Sequence, residues 1–336
     1  MYIKHRFSVF RALYWTKGAI AGFGLYSTAV IVAYEQGFEQ VAIPFLPVSL
    51  LGTAVSFYLG FKNNSAYDRL WESRKVWGAI VNASRSWGIL VTDYVTNHFA
   101  TAPVADDTLK DIHRELLYRH LAWLTTLRHQ LRARKTWEHH TATDDYYRDY
   151  YGVIELGRES REGAMKAFLD PTEVDHLLAR ANAATQILAK QSSRLRELHA
   201  AGLLDDFRHM ELSNILVDLT THQGKCERIK NYPLPRMYAT LTVFFVWMFI
   251  AAIPLGMVAP FADMGMVWLA IPGSMVLSWV FYIWNLVGDY SENPFEGLAN
   301  DTPMTALSRT IEIDLREMLG ETDLPPKVKP TNGVLM

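Results

Sequence analysis

The chain contains one cysteine, Cys226, in 336 residues. That excludes an internal disulfide framework and a cysteine-built zinc site. It carries no excess of either charge, with a net of −2 at neutral pH, so it is not a strongly basic nucleic-acid binder and no nucleic-acid partner is expected. There is also no internal repeat, no glycine-rich phosphate loop and no alternating strand series. Charged residues are scarce, 20% against 50% hydrophobic, which excludes a disordered chain. The scarcity is uneven: charges crowd the middle of the sequence, and four long stretches hold almost none.

Those stretches are Gly18 to Tyr34, Gln40 to Phe61, Met237 to Phe261 and Met264 to Gly288, each about 17 to 25 residues and able to cross a bilayer core. The first, behind Lys4, Arg6, Arg11 and Lys17, has the alternative of a signal-peptide core, but no small-residue cleavage pattern follows it cleanly. Orientation comes from the basic flanks. Lys62, Arg69, Arg74 and Lys75 follow the second span, and Lys225, Arg228, Lys230 and Arg236 precede the third. The short connections hold no Lys or Arg, and their charged residues are Glu35, Glu39 and Asp263. Both termini and the long middle are therefore expected in the cytoplasm. The fold class expected is an all-α integral membrane protein with four transmembrane helices and a cytoplasmic helical domain. Its divisions are 1–61 with spans one and two, 62–235 cytoplasmic, 236–288 with spans three and four, and 289–336 a C-terminal helix and tail.

The middle reads as helices. From Asp106, Leu109, Ile112, Leu116, Leu124, Leu127 and Leu131 recur on one helical face. Asp170-Pro171-Thr172-Glu173 is a helix start, and the spacing predicts one helix from there to Gly202. Another starts near Asp205 and runs toward Ile229, and Thr302-Pro303 opens a last one that Gly320 ends. The tail from Leu324 is expected to be extended.

The second span carries a stripe. After Pro44 and Pro47, Ser49, Thr53, Phe57 and Phe61 recur every fourth residue, on one side of a helix. One reading is packing against another helix, which Gly52 and Gly60 suit. The other is a pore lining, in which several copies of Phe57 and Phe61 form hydrophobic rings that gate by dewetting. Ring edges carry the positive part of the aromatic quadrupole and would favour an anion.

The run that follows is Leu59-Gly60-Phe61-Lys62-Asn63-Asn64-Ser65-Ala66-Tyr67-Asp68-Arg69-Leu70-Trp71-Glu72-Ser73-Arg74-Lys75-Val76-Trp77-Gly78. With Glu292-Asn293-Pro294-Phe295, Asn300-Asp301, Thr310-Ile311-Glu312-Ile313-Asp314-Leu315 and Cys226-Glu227-Arg228 before Pro233-Leu234-Pro235, it resembles the bestrophin family in its bacterial branch. The resemblance covers nearly the whole chain, in order. It implies a homopentameric ion channel in the inner membrane of a bacterium, with a narrow neck and a wider cytoplasmic vestibule. Its partners would be membrane lipids and permeant monovalent ions. The family's neck positions fall on Thr53, Phe57 and Phe61, the first a departure from the usual aliphatic residue, and its cytoplasmic aperture falls on Phe207. Phe207 has the alternative of a buried first-turn hydrophobe. The acidic run of the animal members' calcium clasp is missing. Glu292, Glu296 and Asp301 are what remains near it, so calcium activation is not expected and no cofactor is assigned.

Selectivity is weighed from the same residues. Aromatic edges and basic inner flanks favour anions, chloride foremost. Asp205 and Asp206 would favour cations if they faced the pore, and the family includes cation-conducting bacterial members. A membrane scaffold without a pore is the third alternative. An enzyme is not expected, because the apolar runs hold no Lys, Arg, Asp, Glu or His to serve as acid or base at membrane depth. His139-His140, with His129 and Glu138 near, reads as a solvated surface, so no metal is assigned. Tyr146, Tyr147, Tyr150 and Tyr151 read as an interface patch. Asp68, Arg69, Glu72, Arg74 and Lys75 are expected to pair within their helix or across subunits. Trp71, Trp77 and Trp87 are expected near the cytoplasmic interface, against headgroups or packed helices.

Overall fold

The computed structural model describes residues 1–336 except Phe7, Thr101, His140, Gly157 and Arg158, and except the side chains of Phe99 and Leu156. Among the described residues there are α-helices, short 3-10 turns and two isolated bridges, and no sheet. The α-helices in chain order are α1 (Val9–Trp15), α2 (Lys17–Glu35), α3 (Phe45–Tyr94), α4 (Asp106–Arg132), α5 (Ala142–Tyr150), α6 (Arg161–Lys166), α7 (Pro171–Leu178), α8 (Ala183–Ala200), α9 (Asp206–Asn231), α10 (Arg236–Asp263), α11 (Ala270–Asp289) and α12 (Met304–Met318).

Helix α3 runs for 50 residues without a break, on the order of 75 Å at 1.5 Å per residue. Pro47 sits in its first turn, where no backbone donor is required, and no proline follows within it. The chain forms two compact units, and the division falls inside this helix. Lys4–Arg69 and Pro233–Asn293 make an apolar unit; Met1–Ile3, Leu70–Tyr232 and Pro294–Met336 make a polar one. The division of the packing thus falls at Arg69 and Leu70: Lys62 and Asn63 bond α11, and Arg69 donates to Glu292 O.

Four helical segments are long and apolar enough to cross a membrane by length and composition: Lys17–Glu35, Glu39–Tyr94, Arg236–Asp263 and Val267–Asp289. Less than half of each apolar window is buried within the chain, which leaves apolar faces for lipid or for other copies. Within the apolar unit α2 packs on α10 and α11 and supplies Phe23, Ser27, Val30 and Ile31 to the buried set. Val55, Leu59, Val246, Phe249, Ile253 and Phe281 complete the centre, with the Phe249 and Phe281 rings edge-on at 4.6 Å. Gly52 permits the approach of α3 to α10: a Cβ there would come within 2.6 Å of the Phe249 ring. Gly60 has no such neighbour within 4 Å.

In the polar unit α4 is the central strut, packed by α6, α8, α9 and α12. Its sequence pattern suggests one apolar face, yet nearly every side from Leu116 onward is buried, including Arg119, His120, Arg128, His129 and Arg132. These charges are tolerated because carboxylates meet them. Arg132 pairs with Asp301 at 3.1 Å, Arg128 with Glu155 at 3.2 Å and Glu159 at 3.1 Å, and Arg119 with Glu115 at 2.9 Å and Glu173 at 3.1 Å. The expected single helix from Asp170 to Gly202 is two, α7 and α8. The first stops at Leu178, with Ala179 as its C-cap, and Asn182 caps the second, accepting from the Thr185 N–H at 3.1 Å. The tail is non-helical as expected but docked: Leu335 N–H donates to Met1 O at 2.9 Å, and Val334 and Met336 are buried. Trp77 and Trp87 are wholly buried in this unit's core, and only Trp71 is exposed.

Two outcomes follow from this packing. Asp301→Ala leaves the Arg132 guanidinium buried without its counter-charge and should cost about 3–5 kcal/mol, read as a lowered Tm by tryptophan fluorescence. The second concerns His120, which lies between Trp87 and Trp123 with Nε2 2.8 Å from Ser84 Oγ. Burial pushes it from 6.5 down to about 3. The unfolded chain takes up a proton below pH 6.5 and the native ring does not. This residue's contribution is therefore full above pH 6.5 and is lost as pH falls toward 3, at about 1.4 kcal/mol per pH unit. The drop in Tm between pH 7 and pH 5 should be smaller in His120→Gln than in the parent chain.

Candidate functional site

Helix α3 has two opposite characters within the apolar unit. Val48, Gly52, Val55, Leu59, Lys62 and Ala66 recur at alternating steps of four and three residues and are all buried, the spacing of a helix seam. On the other side Thr53, Phe57 and Phe61 stand exposed, the two phenylalanines 65% so. The chain's own helices therefore do not cover the polar-aromatic stripe. The hydroxyls along this segment spend their protons on the helix itself: Ser49 donates to Leu46 O at 2.8 Å, Thr53 to Ser49 O at 3.0 Å and Ser56 to Gly52 O at 2.8 Å. Outward, Thr53 thus presents oxygen lone pairs. Behind it lies a cavity of about 260 Å³ bounded by Val48, Gly52, Ser56, Phe249 and Phe281.

Lys62, one residue past Phe61, is the charged member of the buried seam. Its ammonium donates to Asn285 Oδ1 at 2.9 Å and pairs with Asp289, while Asn285 Nδ2 donates to Asp289 Oδ2 at 3.0 Å. The sequence reading missed this triad because Lys62 and Asp289 lie just past the ends of apolar runs and Asn285 lies inside one. The available signal was register, since Lys62 continues the spacing of Val55 and Leu59, and Asn285 and Asp289 are four apart.

In the polar unit Phe207 opens α9 and is 82% exposed, so the alternative of a buried first-turn hydrophobe is wrong. The first turn is capped by Asp205, whose carboxylate accepts from the Phe207 N–H at 2.9 Å and the Arg208 N–H at 3.1 Å. Asp206 meets His199 Nε2 at 2.8 Å.

The three carboxylates near the Asn-Pro-Phe element each have a cationic partner. Glu292 pairs with Arg236 at 2.9 Å in the apolar unit. In the polar unit Glu296 meets His139 Nδ1 at 2.8 Å and Arg148 at 3.7 Å, and Asp301 meets Arg132. Burial raises both Glu296 and Asp301 from the ordinary carboxylate range, against the opposing pull of His139 and Arg132 respectively. Among the described residues no group of three or more His, Cys, Asp or Glu is arranged to hold a metal ion. The stretch around His139 is nevertheless not the solvated surface expected, since Glu138 is buried against Lys230 and His139 bonds Glu296; His140 lies outside the described residues. The signature charges also find partners beyond their own helix. Arg69 donates to Glu292 O at 2.9 Å, Arg74 to Asn300 O at 3.1 Å, and Glu72 pairs with Arg228. The four tyrosines of 146–151 stack on one another, with Tyr146 and Tyr150 exposed.

An all-helical chain with such apolar segments, and with an uncovered polar-aromatic stripe on one of them, defines a membrane protein. Its family follows from comparison: residues 1–317 match the bacterial/fungal bestrophin family, and the chain belongs to it. It is 30% identical to a voltage-dependent anion channel-forming protein of Mesorhizobium japonicum, over 93% of this chain and 86% of that one. It is 28% identical to a voltage-dependent anion channel-forming protein of Escherichia coli K12, over 91% and 87%. The crystal structure of a bacterial bestrophin homologue from Klebsiella pneumoniae superposes with a TM-score of 0.74 at 25% identity, covering 90% of this chain and 98% of that one.

Proposed function

We propose that this protein is a subunit of a homopentameric anion channel that conducts monovalent anions, chloride foremost, through a neck lined by Thr53, Phe57 and Phe61. The observation that carries the reading is the exposed stripe on α3 opposite its buried seam, in a chain whose relatives are named as anion channel-forming proteins. One copy supplies one such stripe, so a ring of copies is required to close a pore. In this reading α2, the first half of α3, α10 and α11 cross the inner membrane of a bacterium. The termini and the polar unit are cytoplasmic, as the Lys and Arg flanks of the spans require. Rings of Phe57 and Phe61 form a dewetting barrier, and their edges favour a negative ion. Phe207, exposed at the start of α9, forms the cytoplasmic aperture. The chemistry is passage alone, with no turnover and no cofactor. The remaining clasp carboxylates are already engaged by Arg236, His139, Arg148 and Arg132, which supports conduction without bound calcium.

A second reading, cation conduction, is favoured by one observation: Thr53 presents acceptor oxygens rather than a donor proton. A scaffold without a pore requires no ring. The deciding experiment is the reversal potential of purified protein in a planar bilayer under a salt gradient, with and without a calcium chelator. A potential near the chloride limit that is lost on replacing chloride by an impermeant anion, and that the chelator does not move, is expected. A potential near the cation limit would transfer the neck to the second reading, and a monomer or dimer in mild detergent would favour the scaffold. Within an assembled anion channel, replacing both Phe57 and Phe61 by Ala should raise conductance or open probability, measured on single channels. Phe207→Ala should change relative permeability among anions of different size while leaving the sign of selectivity intact.

A further inference from the structure

The one charged side chain in the buried seam of α3 follows directly on the exposed Phe61. Lys62 is 0% exposed. Its ammonium is held by Asn285 and Asp289, which are themselves bonded to each other. The next residue repeats the attachment: Asn63 Nδ2 donates to Trp284 O at 3.1 Å, and Gly288 leaves no room for a side chain against Asn63. Two consecutive residues of α3 are thus tied by directional bonds to the last two turns of α11.

A buried ion pair is a poor way to gain stability, since an apolar pair of the same volume usually does as well. An ionisable residue at the edge of an apolar span, with its partner in place, points to a functional role. What it supplies here is direction. The apolar seam above it, Val55 and Leu59, tolerates rotation and sliding, whereas hydrogen bonds to Lys62 and Asn63 do not. Helical geometry then carries the constraint to the stripe. A rotation of α3 by 20° would sweep a side-chain tip through roughly 2 Å, in every copy of a ring at once.

We propose that Lys62, with Asn285 and Asp289, is the positioning device that sets the rotation of α3 and hence the direction in which Phe57 and Phe61 point. This rests on the neck assigned above, so the test has a readout that does not depend on conduction. In a Cys226→Ala background, the modification rate of Phe61→Cys by a water-soluble methanethiosulfonate reagent reports how the position is presented. Lys62→Met or Asp289→Asn in the assembled protein should change that rate, and in the Phe61 protein the single-channel conductance, by about threefold or more. Lys62→Arg, which keeps the charge and the bonds, should stay near the parent in both. A purely structural lysine would give reduced assembly with unchanged rate and conductance in the protein that does assemble, and that result overturns the proposal. If Lys62→Met fails to assemble, Asp289→Asn, which removes the charge and one of the two acceptor oxygens that Lys62 and Asn285 bond, decides on the same two readings. If the parent protein passes no current at all, the channel reading fails, while the modification rate still decides this one.

Discussion

The register of α3 is the constraint on which the apolar unit depends. A helix buries about half of its circumference, so the choice of Val48, Gly52, Val55, Leu59, Lys62 and Ala66 for the inner side also selects Thr53, Phe57 and Phe61 for the outer one. Close approach at Gly52, against the Phe249 ring, and the bonded lysine at the lower end hold that choice at two heights. The exposure of two phenylalanines in a row on an otherwise well-packed helix is therefore a consequence of where the seam lies. In a monomer it would be a liability, and in the proposed ring it would be a lining.

The polar unit solves a different problem. Its central helix α4 is enclosed on nearly all sides and still carries the buried Arg119, Arg128 and Arg132, each of which meets a carboxylate from another element. Such pairs contribute specificity more than stability. Arg132 with Asp301 and Arg148 with Glu296 tie the segment after the Asn-Pro-Phe element to helices distant in sequence. The same carboxylates that suggested a cation site are in this way occupied by the protein's own cations. Burial of Glu296 and Asp301 raises their proton affinity, and the adjoining His139 and Arg132 oppose it.

Anion preference in this reading comes without a fixed charge in the lining. Thr53 directs its proton to Ser49 O, so the burden falls on the ring edges of Phe57 and Phe61 and on the exclusion of water by a narrow apolar constriction. A weak site of this kind suits conduction, because an ion bound tightly by a guanidinium or ammonium would leave slowly. The one ammonium nearby, Lys62, faces away from the stripe and is neutralised by Asp289.

Sequence alone determined the all-helical class, the four apolar segments, the stripe at Thr53, Phe57 and Phe61, the start of α9 at Asp205 and the family. These rest on periodicity, on capping chemistry and on motifs local to a few turns, which a linear chain displays directly. Tertiary structure decided what each side chain meets. It showed that the stripe is uncovered, that Phe207 is exposed, that one expected helix is two, α7 and α8, and that the tail is docked. It also showed that the stretch around His139 is tied to Glu296. The Lys62, Asn285 and Asp289 triad belongs to the same group. Lys62 lies more than two hundred residues from its two partners, and register alone, the local signal present, does not say which segments meet. Helical phase is written in the spacing of residues; partnership across helices exists only once the chain has folded.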